Sequence, residues 1–299
     1  MLIVLSSLNY SDPSQNHGDC FLYIEGGQAV VYDCGSVEHA KRVIKILDQY
    51  CIKKAIAILS HNDSDHFNGI PYLIEHGYVD TLFTILLLKY KDEILDKISD
   101  GRRNRESIGT AIKEAYNNIA SLSEKVKLKD VYENADELPE HLMFIGPTFE
   151  YMIEAVAKGL DGRQGDTINK ETIVNAASVQ MQLDMSGKKV LLTGDCTPAA
   201  ISEDIDLSEY QYIQLPHHGK FMHAEVIFER VGINYHNMFL VSDNTGDSNG
   251  GSDELMKHRK GHRIQNTKTD GDIKIEIYGC SNSVQGYIPP LITGRTLGI

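Results

Sequence analysis

The feature that most constrains this chain is a cluster of acids and imidazoles that begins where a short apolar run ends. Residues 55–59 are all apolar and have the length of a strand that is buried on both faces. The segment Ser60-His61-Asn62-Asp63-Ser64-Asp65-His66 follows directly, so four potential metal ligands lie within six residues. Side chains alternate in extended backbone, which predicts that His61, Asp63 and Asp65 converge while His66 turns toward a neighbouring site.

The donor atoms of this cluster define the chemistry that it can support. Imidazole nitrogen and carboxylate oxygen suit Zn²⁺, Mn²⁺ or Fe, whereas an all-carboxylate site would suit Mg²⁺ or Ca²⁺. For each residue alone, a solvated surface loop is the competing interpretation. For the whole cluster we favour a metal site, because this combination of ligands is rare in an ordinary loop.

A second strand end carries another acid. Residues 190–193 form an apolar run that breaks at Gly194 and presents Asp195. A carboxylate at this position can bridge two metal ions about 3.5–4 Å apart, as in two-metal hydrolases. The alternative is that Asp195 caps a following helix. The presence of the His and Asp loop in the same chain favours the ligand role.

A third strand end carries two adjacent histidines. The predicted strand 210–215 is followed by Pro216-His217-His218-Gly219-Lys220. One histidine is expected to ligate a metal ion while the other binds substrate or orients a ligand. We assign His217 to the metal and His218 to catalysis, with the reverse assignment left open, and Lys220 to an anionic group. An exposed histidine pair in a turn is the alternative interpretation.

Hydrophobic periodicity predicts an α/β fold in which strands alternate with helices. Strands are predicted at 2–8, 20–25, 29–33, 55–59, 81–88, 174–185, 190–193, 210–215, 237–241 and 273–278, and helices at 38–50, 70–76 and 224–231. The middle of the chain is charged and mostly helical in pattern. We therefore predict a single domain over residues 1–299 that contains a helical insertion at 89–163.

The composition narrows the class of protein. The 299 residues, 41% of them hydrophobic, supply a large core, and no apolar run reaches the roughly 18 residues of a membrane span. Five cysteines without CxxC spacing, and a start without a signal-peptide pattern, predict a cytoplasmic protein with reduced thiols. The 29 basic and 42 acidic residues give a charge of −13, which disfavours indiscriminate binding of nucleic acid unless a dication or a basic patch reverses the field locally.

These ordered motifs resemble the metallo-β-lactamase superfamily. The usual loop of that superfamily is His-x-His-x-Asp-His, and here Asp63 replaces the second histidine. The resemblance is closest to the hydrolase domain of the competence DNA-uptake protein ComEC and its soluble relatives. It rests on Gly18-Asp19, Asp33-Cys34-Gly35, the loop 61–66, Leu-Leu-Thr-Gly-Asp195 and Pro-His-His-Gly, and it covers about residues 1–88 and 170–280.

The resemblance implies a fold and a set of roles. The fold would be a four-layer αβ/βα sandwich with the metal site at the sheet edge. The implied metal ligands are His61, Asp63, Asp65, His66, Asp195 and His217, and the implied supporting residues are Asp33, Asn175 and Ser178. Asp63 and Asn175 stand where histidines are usual, which shifts the expected metal from Zn²⁺ toward Mn²⁺, with one or two ions per chain.

The implied activity is hydrolysis by a metal-activated hydroxide, with Asp65 orienting or deprotonating the water. The first hypothesis for the substrate is a phosphodiester in nucleic acid or a nucleotide, because the relatives act on nucleic acid. The second is a small ester, thioester or lactam, which the acidic surface favours. The third is a non-catalytic module in which the metal loop is a structural clamp. The insertion 89–163 is expected to contact the substrate or a partner protein, and no membrane partner is expected.

Overall fold

The computed structural model of the chain describes residues 1–8, 10, 18–98, 104–161, 172–233, 236–243, 251–258 and 261–276. The strands in these ranges are β1 (Leu2–Val4), β2 (Cys20–Glu25), β3 (Gln28–Cys34), β4 (Ala55–Ile58), β5 (Val79–Thr84), β6 (Lys127–Asp130), β7 (Leu142–Gly146), β8 (Gln180–Met185), β9 (Lys188–Leu192), β10 (Tyr212–Gln214), β11 (Met238–Val241), β12 (Ile264–Asn266) and β13 (Ile273–Ile275). The α-helices are α1 (Val37–Gln49), α2 (Ser64–Phe67), α3 (Ile70–Glu75), α4 (Lys91–Lys97), α5 (Arg105–Ala120), α6 (Phe149–Asp161), α7 (Ile173–Ala176), α8 (Pro216–Gly219), α9 (Phe221–Val231), α10 (Asp253–Lys257) and α11 (Thr267–Asp270).

The strands form two mixed sheets. The first has the order β13-β1-β2-β3-β4-β5-β6 and the second has the order β12-β11-β10-β9-β8-β7. In each sheet, antiparallel pairs on one side are joined to a run of parallel strands, β3 to β6 in the first and β9 to β12 in the second. None of the helices in the described ranges is both long and apolar enough to cross a membrane.

The space between the two sheets is filled by alternate side chains of facing strands. Phe21, Tyr23 and Tyr32 of the first sheet share one buried cluster with Met181 and Leu192 of the second. This is the consequence of the two-residue period of a strand, which sends every second side chain to the same face. The main core therefore lies between the sheets.

The outer faces of both sheets are covered by helices. Leu22 of β2 packs with Val43 of α1 and Leu73 of α3. On the other side of the molecule, Leu191 of β9 packs with Ile227 of α9. The layers are therefore helix, sheet, sheet and helix, which confirms the predicted α/β four-layer sandwich.

The middle segment 89–163 is helical over α4, α5 and α6, and it also contributes a strand to each sheet. β6 pairs in parallel with β5 at one edge of the first sheet. β7 pairs antiparallel with β8 at one edge of the second sheet. The segment is thus part of both sheets, and the predicted domain boundaries, 1–299 with an insertion at 89–163, remain predictions.

Three predicted strands differ from those observed. The run 2–8 is a strand only from Leu2 to Val4. The run 174–185 begins with the short helix α7, because the Thr172 side chain accepts the Asn175 N–H at 3.2 Å and caps a helical turn before β8. The run 81–88 is a strand only to Thr84, and residues 87–90 form a 3₁₀ turn. The last predicted strand, 273–278, extends beyond the described residues.

The strand directions bring the predicted site residues to one edge of the sandwich. β3 and β4 are parallel, as are β9 and β10, so the loops after them leave their sheets at carboxyl ends. β2 runs antiparallel to β3 with Cys20 opposite Cys34, which places Asp19 at the same edge as the end of β3. In open α/β sheets this edge is where ligands bind.

One buried hydrogen bond between the sheets can be tested directly. The Tyr32 hydroxyl donates to the Val179 carbonyl at 2.7 Å in the core. We expect Tyr32→Phe to lower the free energy of unfolding by about 1–2 kcal/mol, because the buried carbonyl loses its partner. Urea denaturation measures this loss. Tyr50→Phe, at a tyrosine that is 43% exposed, is the control and should unfold like the parent; equal stability of both variants would contradict the expectation.

Candidate metal centre

Four buried side chains from four separate segments of the chain meet at this edge. Asp19, His66, Asp195 and His218 each offer one ligand atom, and these atoms all lie within 4.8 Å of one another. Asp19 precedes β2, His66 lies in α2 after β4, Asp195 follows β9, and His218 follows β10. Both sheets therefore contribute to one cluster of acids and imidazoles.

Asp33, at the end of β3, organises the loop that follows β4. Its carboxylate is fully buried and accepts the Ser60 N–H at 2.7 Å and the Ser60 hydroxyl at 2.7 Å. The second oxygen also lies 2.8 Å from Nδ1 of His66. The residue adopts a left-handed conformation with φ of 56°, a conformation that is costly for a non-glycine side chain and is concentrated at functional sites.

These contacts determine which nitrogen of His61 and His66 faces the cluster. The Ser60 hydroxyl gives its proton to Asp33, so its oxygen accepts Nδ1–H of His61 at 2.9 Å. Asp33 accepts Nδ1–H of His66 in the same way. In both rings Nε2 therefore faces the cluster, and neither Nε2 has a hydrogen-bond partner among the described residues. The two rings lie 4.1 Å apart between centroids.

Asp195 lies between two imidazoles. One of its oxygens is 3.3 Å from Nε2 of His66 and the other is 3.6 Å from Nε2 of His218. The His218 ring is held from behind, because its Nδ1 lies 3.0 Å from both an Asp19 oxygen and the Ser242 carbonyl. Its Nε2 is also 3.0 Å from Asp65. Asp195 thus connects the imidazole that follows β4 with the imidazole that follows β10.

The carboxylates of the cluster favour a positive charge at its centre. Burial lowers the pKa of His61 to about 3, with a smaller contribution from His66, so this imidazole is neutral. Burial opposes the charge of His66 and His218, yet the nearby carboxylates, led by Asp195, raise the pKa of both well above the usual range. Those imidazoles in turn hold the pKa of Asp195 well below its usual range despite its burial. Carboxylates that stabilise two imidazolium ions will also stabilise a divalent cation.

The donor set fits a divalent metal ion. Metal-bound histidines almost always donate their other ring N–H to a carboxylate, a carbonyl or a similar acceptor, and His61, His66 and His218 all have that arrangement. The buried Nε2 atoms of His61 and His66, and one buried oxygen of Asp195, have no hydrogen-bond partner in the described chain. Imidazole nitrogen with carboxylate oxygen is the donor chemistry of Zn²⁺ and Mn²⁺.

Glycines allow the loops to approach one another this closely. A Cβ on Gly35 would lie 1.8 Å from the Asp65 carbonyl oxygen. Gly194 has a φ of 54°, and a Cβ there would lie 2.6 Å from the Ser60 Cβ. The glycines of the Asp-x-Gly and Gly-Asp motifs are therefore required by close packing of the main chain around the acids.

The remaining predicted ligands lie at or beside this cluster. Asp63 is half exposed, and its carboxylate is 3.7 Å from Nε2 of His61. Asp65 receives the hydrogen bond from His218, which lowers the pKa of Asp65 below its usual range although burial raises it. His217 is buried next to His218, with ring centroids 5.8 Å apart. Both histidines have positive φ values, 52° and 55°.

His218, for which the sequence predicts a catalytic role, is therefore one of the four residues that could hold a metal ion. His217, for which it predicts a metal-ligand role, is not one of those four. Lys220 follows the histidine turn directly before α9. Of the supporting residues, Asp33 and Ser178 touch the ligand histidines, the Ser178 hydroxyl at 3.2 Å from Nδ1 of His61. Asn175 is buried and its side-chain oxygen accepts the Thr172 hydroxyl at 3.0 Å.

Asp19 lies in the site although its sequence position alone predicts no role for it. Its carboxylate lies 3.0 Å from Nδ1 of His218 and 3.1 Å from the Gln214 side-chain nitrogen. Its own N–H donates to the Asp65 carbonyl at 2.8 Å. The signal for it was present in the Gly18-Asp19 motif, but its place beside the β10 loop depends on how the two sheets face each other.

Solved structures with a similar fold were found, although no family model matches the sequence and the search of curated proteins gives no match. The metallo-β-lactamase fold protein YhfI from Bacillus subtilis is 13% identical, with a TM-score of 0.52 over 91% of this chain and 98% of that one. A diphosphatase from the PhnP family is 12% identical, with a TM-score of 0.46 over 93% and 99% of the two chains. Human tRNase Z, short form, is 11% identical, with a TM-score of 0.46 over 93% and 100%. The similarity to YhfI, with the two-sheet architecture, shows that this chain has the metallo-β-lactamase fold.

Asp33 provides the first test of the centre. One Asp33 oxygen accepts the Ser60 N–H, and the other accepts the Ser60 hydroxyl and His66 Nδ1–H. An asparagine at this position must therefore turn its NH₂ group, which is itself a donor, toward one of these sets of donors. We expect Asp33→Asn to weaken Zn²⁺ or Mn²⁺ binding about 10- to 100-fold, the usual effect of losing such a partner. Titration of chelator-treated protein against a chromogenic competitor measures the affinity. Asp204→Asn, at an exposed acid, is the control. An unchanged affinity in Asp33→Asn would refute the assigned role of Asp33.

Gly35 provides a test of the close packing. We expect Gly35→Ala to lower the free energy of unfolding by about 1–3 kcal/mol, as overpacking does, since the Asp65 main chain must move. Gly109→Ala in α5 is the matched control, because its Cβ would meet nothing within 4 Å. Gly109→Ala should leave the free energy of unfolding equal to that of the parent or raise it by about 0.5–1 kcal/mol. Denaturant unfolding compares them, and equal stability of the two variants would show that Gly35 is not needed for packing.

Proposed function

We propose that this chain is a metal-dependent hydrolase. The observation that carries the proposal is that three imidazoles turn Nε2 toward carboxylates of one cluster, His61 toward Asp63, His66 toward Asp195, and His218 toward Asp65 and Asp195, with each Nδ1 held by another residue. Structural ion pairs do not require three imidazoles to present the same ring nitrogen to neighbouring acids while the other nitrogen is held from behind. Histidines that ligate a metal ion almost always have this arrangement.

The proposed ligands are the residues of the 61–66 loop with the strand-end residues of the second sheet. They are His61, Asp63, Asp65, His66, Asp195 and His218, and Asp195 would be the residue to share if two ions were held. His218 takes the ligand role first assigned to His217, because His218 Nε2 lies 3.0 Å from Asp65 and 3.6 Å from Asp195. The expected metal is Zn²⁺ or Mn²⁺, with one or two ions per chain.

Each part of the site then has a chemical task. A bound divalent cation lowers the pKa of water and stabilises negative charge on the attacked group. Asp65, one-quarter exposed and hydrogen-bonded to His218, is the acid placed to orient a water and accept its proton. Lys220, at the start of α9, is proposed to meet an anionic group of the substrate. His217, buried beside His218, is proposed as a further contact to metal or substrate.

For the substrate we propose a phosphodiester in nucleic acid or a nucleotide. A carboxylate shared by two cations suits in-line displacement at phosphorus, where both the attacking and the leaving oxygen need stabilisation. The order of motifs that resembles the ComEC-like hydrolase domain supports the same class. The charge of −13 favours a small ester, thioester or lactam as the second candidate, since an acidic surface repels a polyanion.

We also propose a cytoplasmic location and reduced thiols. The four cysteines that the structure describes, Cys20, Cys34, Cys51 and Cys196, form no disulfide. Three of the four are buried, where thiols behave as small apolar groups.

The proposed function predicts a metal-dependent activity with a defined substrate preference. Protein stripped with a chelator and reloaded with Mn²⁺ or Zn²⁺ should hydrolyse bis-p-nitrophenyl phosphate and single-stranded DNA or RNA, while the stripped protein is inactive. Reloading should also raise the free energy of unfolding, by about 2.7 kcal/mol when the metal is at 100 times its Kd. Asp195→Asn should abolish both effects, and Asp204→Asn should preserve both.

The alternatives give different results in the same assays. Hydrolysis of p-nitrophenyl acetate, a thioester or a lactam without phosphodiester turnover would replace the first substrate class by the second. A fully loaded protein that is inert toward every substrate would refute the hydrolase. A stripped protein that binds no divalent cation would refute the metal centre itself.

A further inference from the structure

The main chain of the 60–65 loop is held by hydrogen bonds to five of its carbonyl groups. Four of these groups accept main-chain N–H donors, namely those of Ser60, Asp63, Ser64 and Asp65. The fifth, of Asn62, accepts the side-chain NH₂ of Asn118 at 3.0 Å. The peptide next to His61 is therefore held by a side chain from a different part of the molecule, helix α5 in the segment 89–163.

The contact between the two asparagines is reciprocal. The Asn118 side-chain oxygen accepts the Asn62 side-chain NH₂ at 2.8 Å and also the Ile119 N–H at 2.9 Å. Because the Ile119 N–H can only donate, the oxygen of Asn118 must lie on that side. The NH₂ group of Asn118 is then directed to the Asn62 carbonyl, so the orientation of this amide follows from its partners.

Helix α5 is a firm support for this contact. Ile108 and Ile112 are buried in the cluster between the sheets, and Ile119, directly after Asn118, is buried in the cluster on the outer face of the first sheet. The Asn118 side chain thus extends from a packed helix. Hydrogen bonds from such a position restrict the loop more than bonds from a mobile side chain would.

Resting on the metal centre proposed above, we propose that Asn118 is a positioning residue for that centre. Two side chains hold the main chain on either side of His61: Asp33 accepts the Ser60 N–H, and Asn118 donates to the Asn62 carbonyl. Asp33 also sets the tautomer of His61 through Ser60. Asn118 fixes the peptide that leads from His61 to Asp63, and so the relative position of those two ligands. The segment 89–163 acts on the site through this contact.

The experiment compares cation binding by the full chain and by three variants. Asn118→Ala removes both hydrogen bonds to Asn62, and Asn118→Asp keeps the acceptor but loses the donor to the Asn62 carbonyl. Thr110→Ala, at an exposed position of the same helix, is the control. We expect both Asn118 variants to bind Mn²⁺ or Zn²⁺ about tenfold more weakly, the lower end of the effect of partners around metal ligands. The control should bind as the parent does.

Two further measurements separate positioning from a general loss of structure. The visible spectrum of the Co²⁺-loaded protein should change in the Asn118 variants and not in Thr110→Ala, because it reports ligand geometry. The metal-free forms should unfold at similar denaturant concentrations. Parent-like affinity and spectrum in either Asn118 variant would overturn the role of Asn118 while leaving the metal centre intact. Absence of cation binding by the parent would instead refute the proposed function.

Discussion

The carboxylate of Asp33 is the group on which the rest of the centre depends. It accepts hydrogen bonds from the Ser60 N–H, the Ser60 hydroxyl and Nδ1 of His66, so one buried anion fixes the backbone of the β4 loop and the tautomers of two imidazoles. Burial raises the pKa of Asp33, and its donors oppose that shift. A buried charge is tolerated only when it is paired and hydrogen-bonded in this way.

The second requirement is that two sheets present their strand ends to each other. Asp33 and the 61–66 loop belong to the first sheet, whereas Asp195 and His218 belong to the second. The core between the sheets therefore determines the distances in the centre as well as the stability of the fold. The small residues Gly35 and Gly194 then let the loops come within contact distance. Packing and site geometry are consequences of the same interface.

Local patterns predicted the α/β class and the position of the acids and imidazoles at strand ends, whereas the four-layer arrangement was implied by the resemblance to the metallo-β-lactamase superfamily. Apolar runs of strand length identified β4 and β9, and the polar residues directly after them had to lie at the carboxyl ends. The choice between His217 and His218 could not be made, because two consecutive left-handed residues turn their side chains in directions that alternation does not predict. Asp19 was missed because its partner, His218, is distant along the chain.

The segment 89–163 was the hardest part of the chain to predict from sequence. The structure shows that it is part of both sheets as well as a helical insertion. Charged helical periodicity in α4 and α5 concealed two short edge strands, β6 and β7, whose partners lie in different sheets. Its helices also reach the loops that follow β4 and β9, since Asn118 of α5 donates to the Asn62 carbonyl and the Tyr151 hydroxyl of α6 lies 2.8 Å from the Thr197 hydroxyl. A segment that only covered the site could be removed without exposing the edge of a sheet. This segment closes one edge of each sheet and supports the loops of both, so fold and site depend on it together.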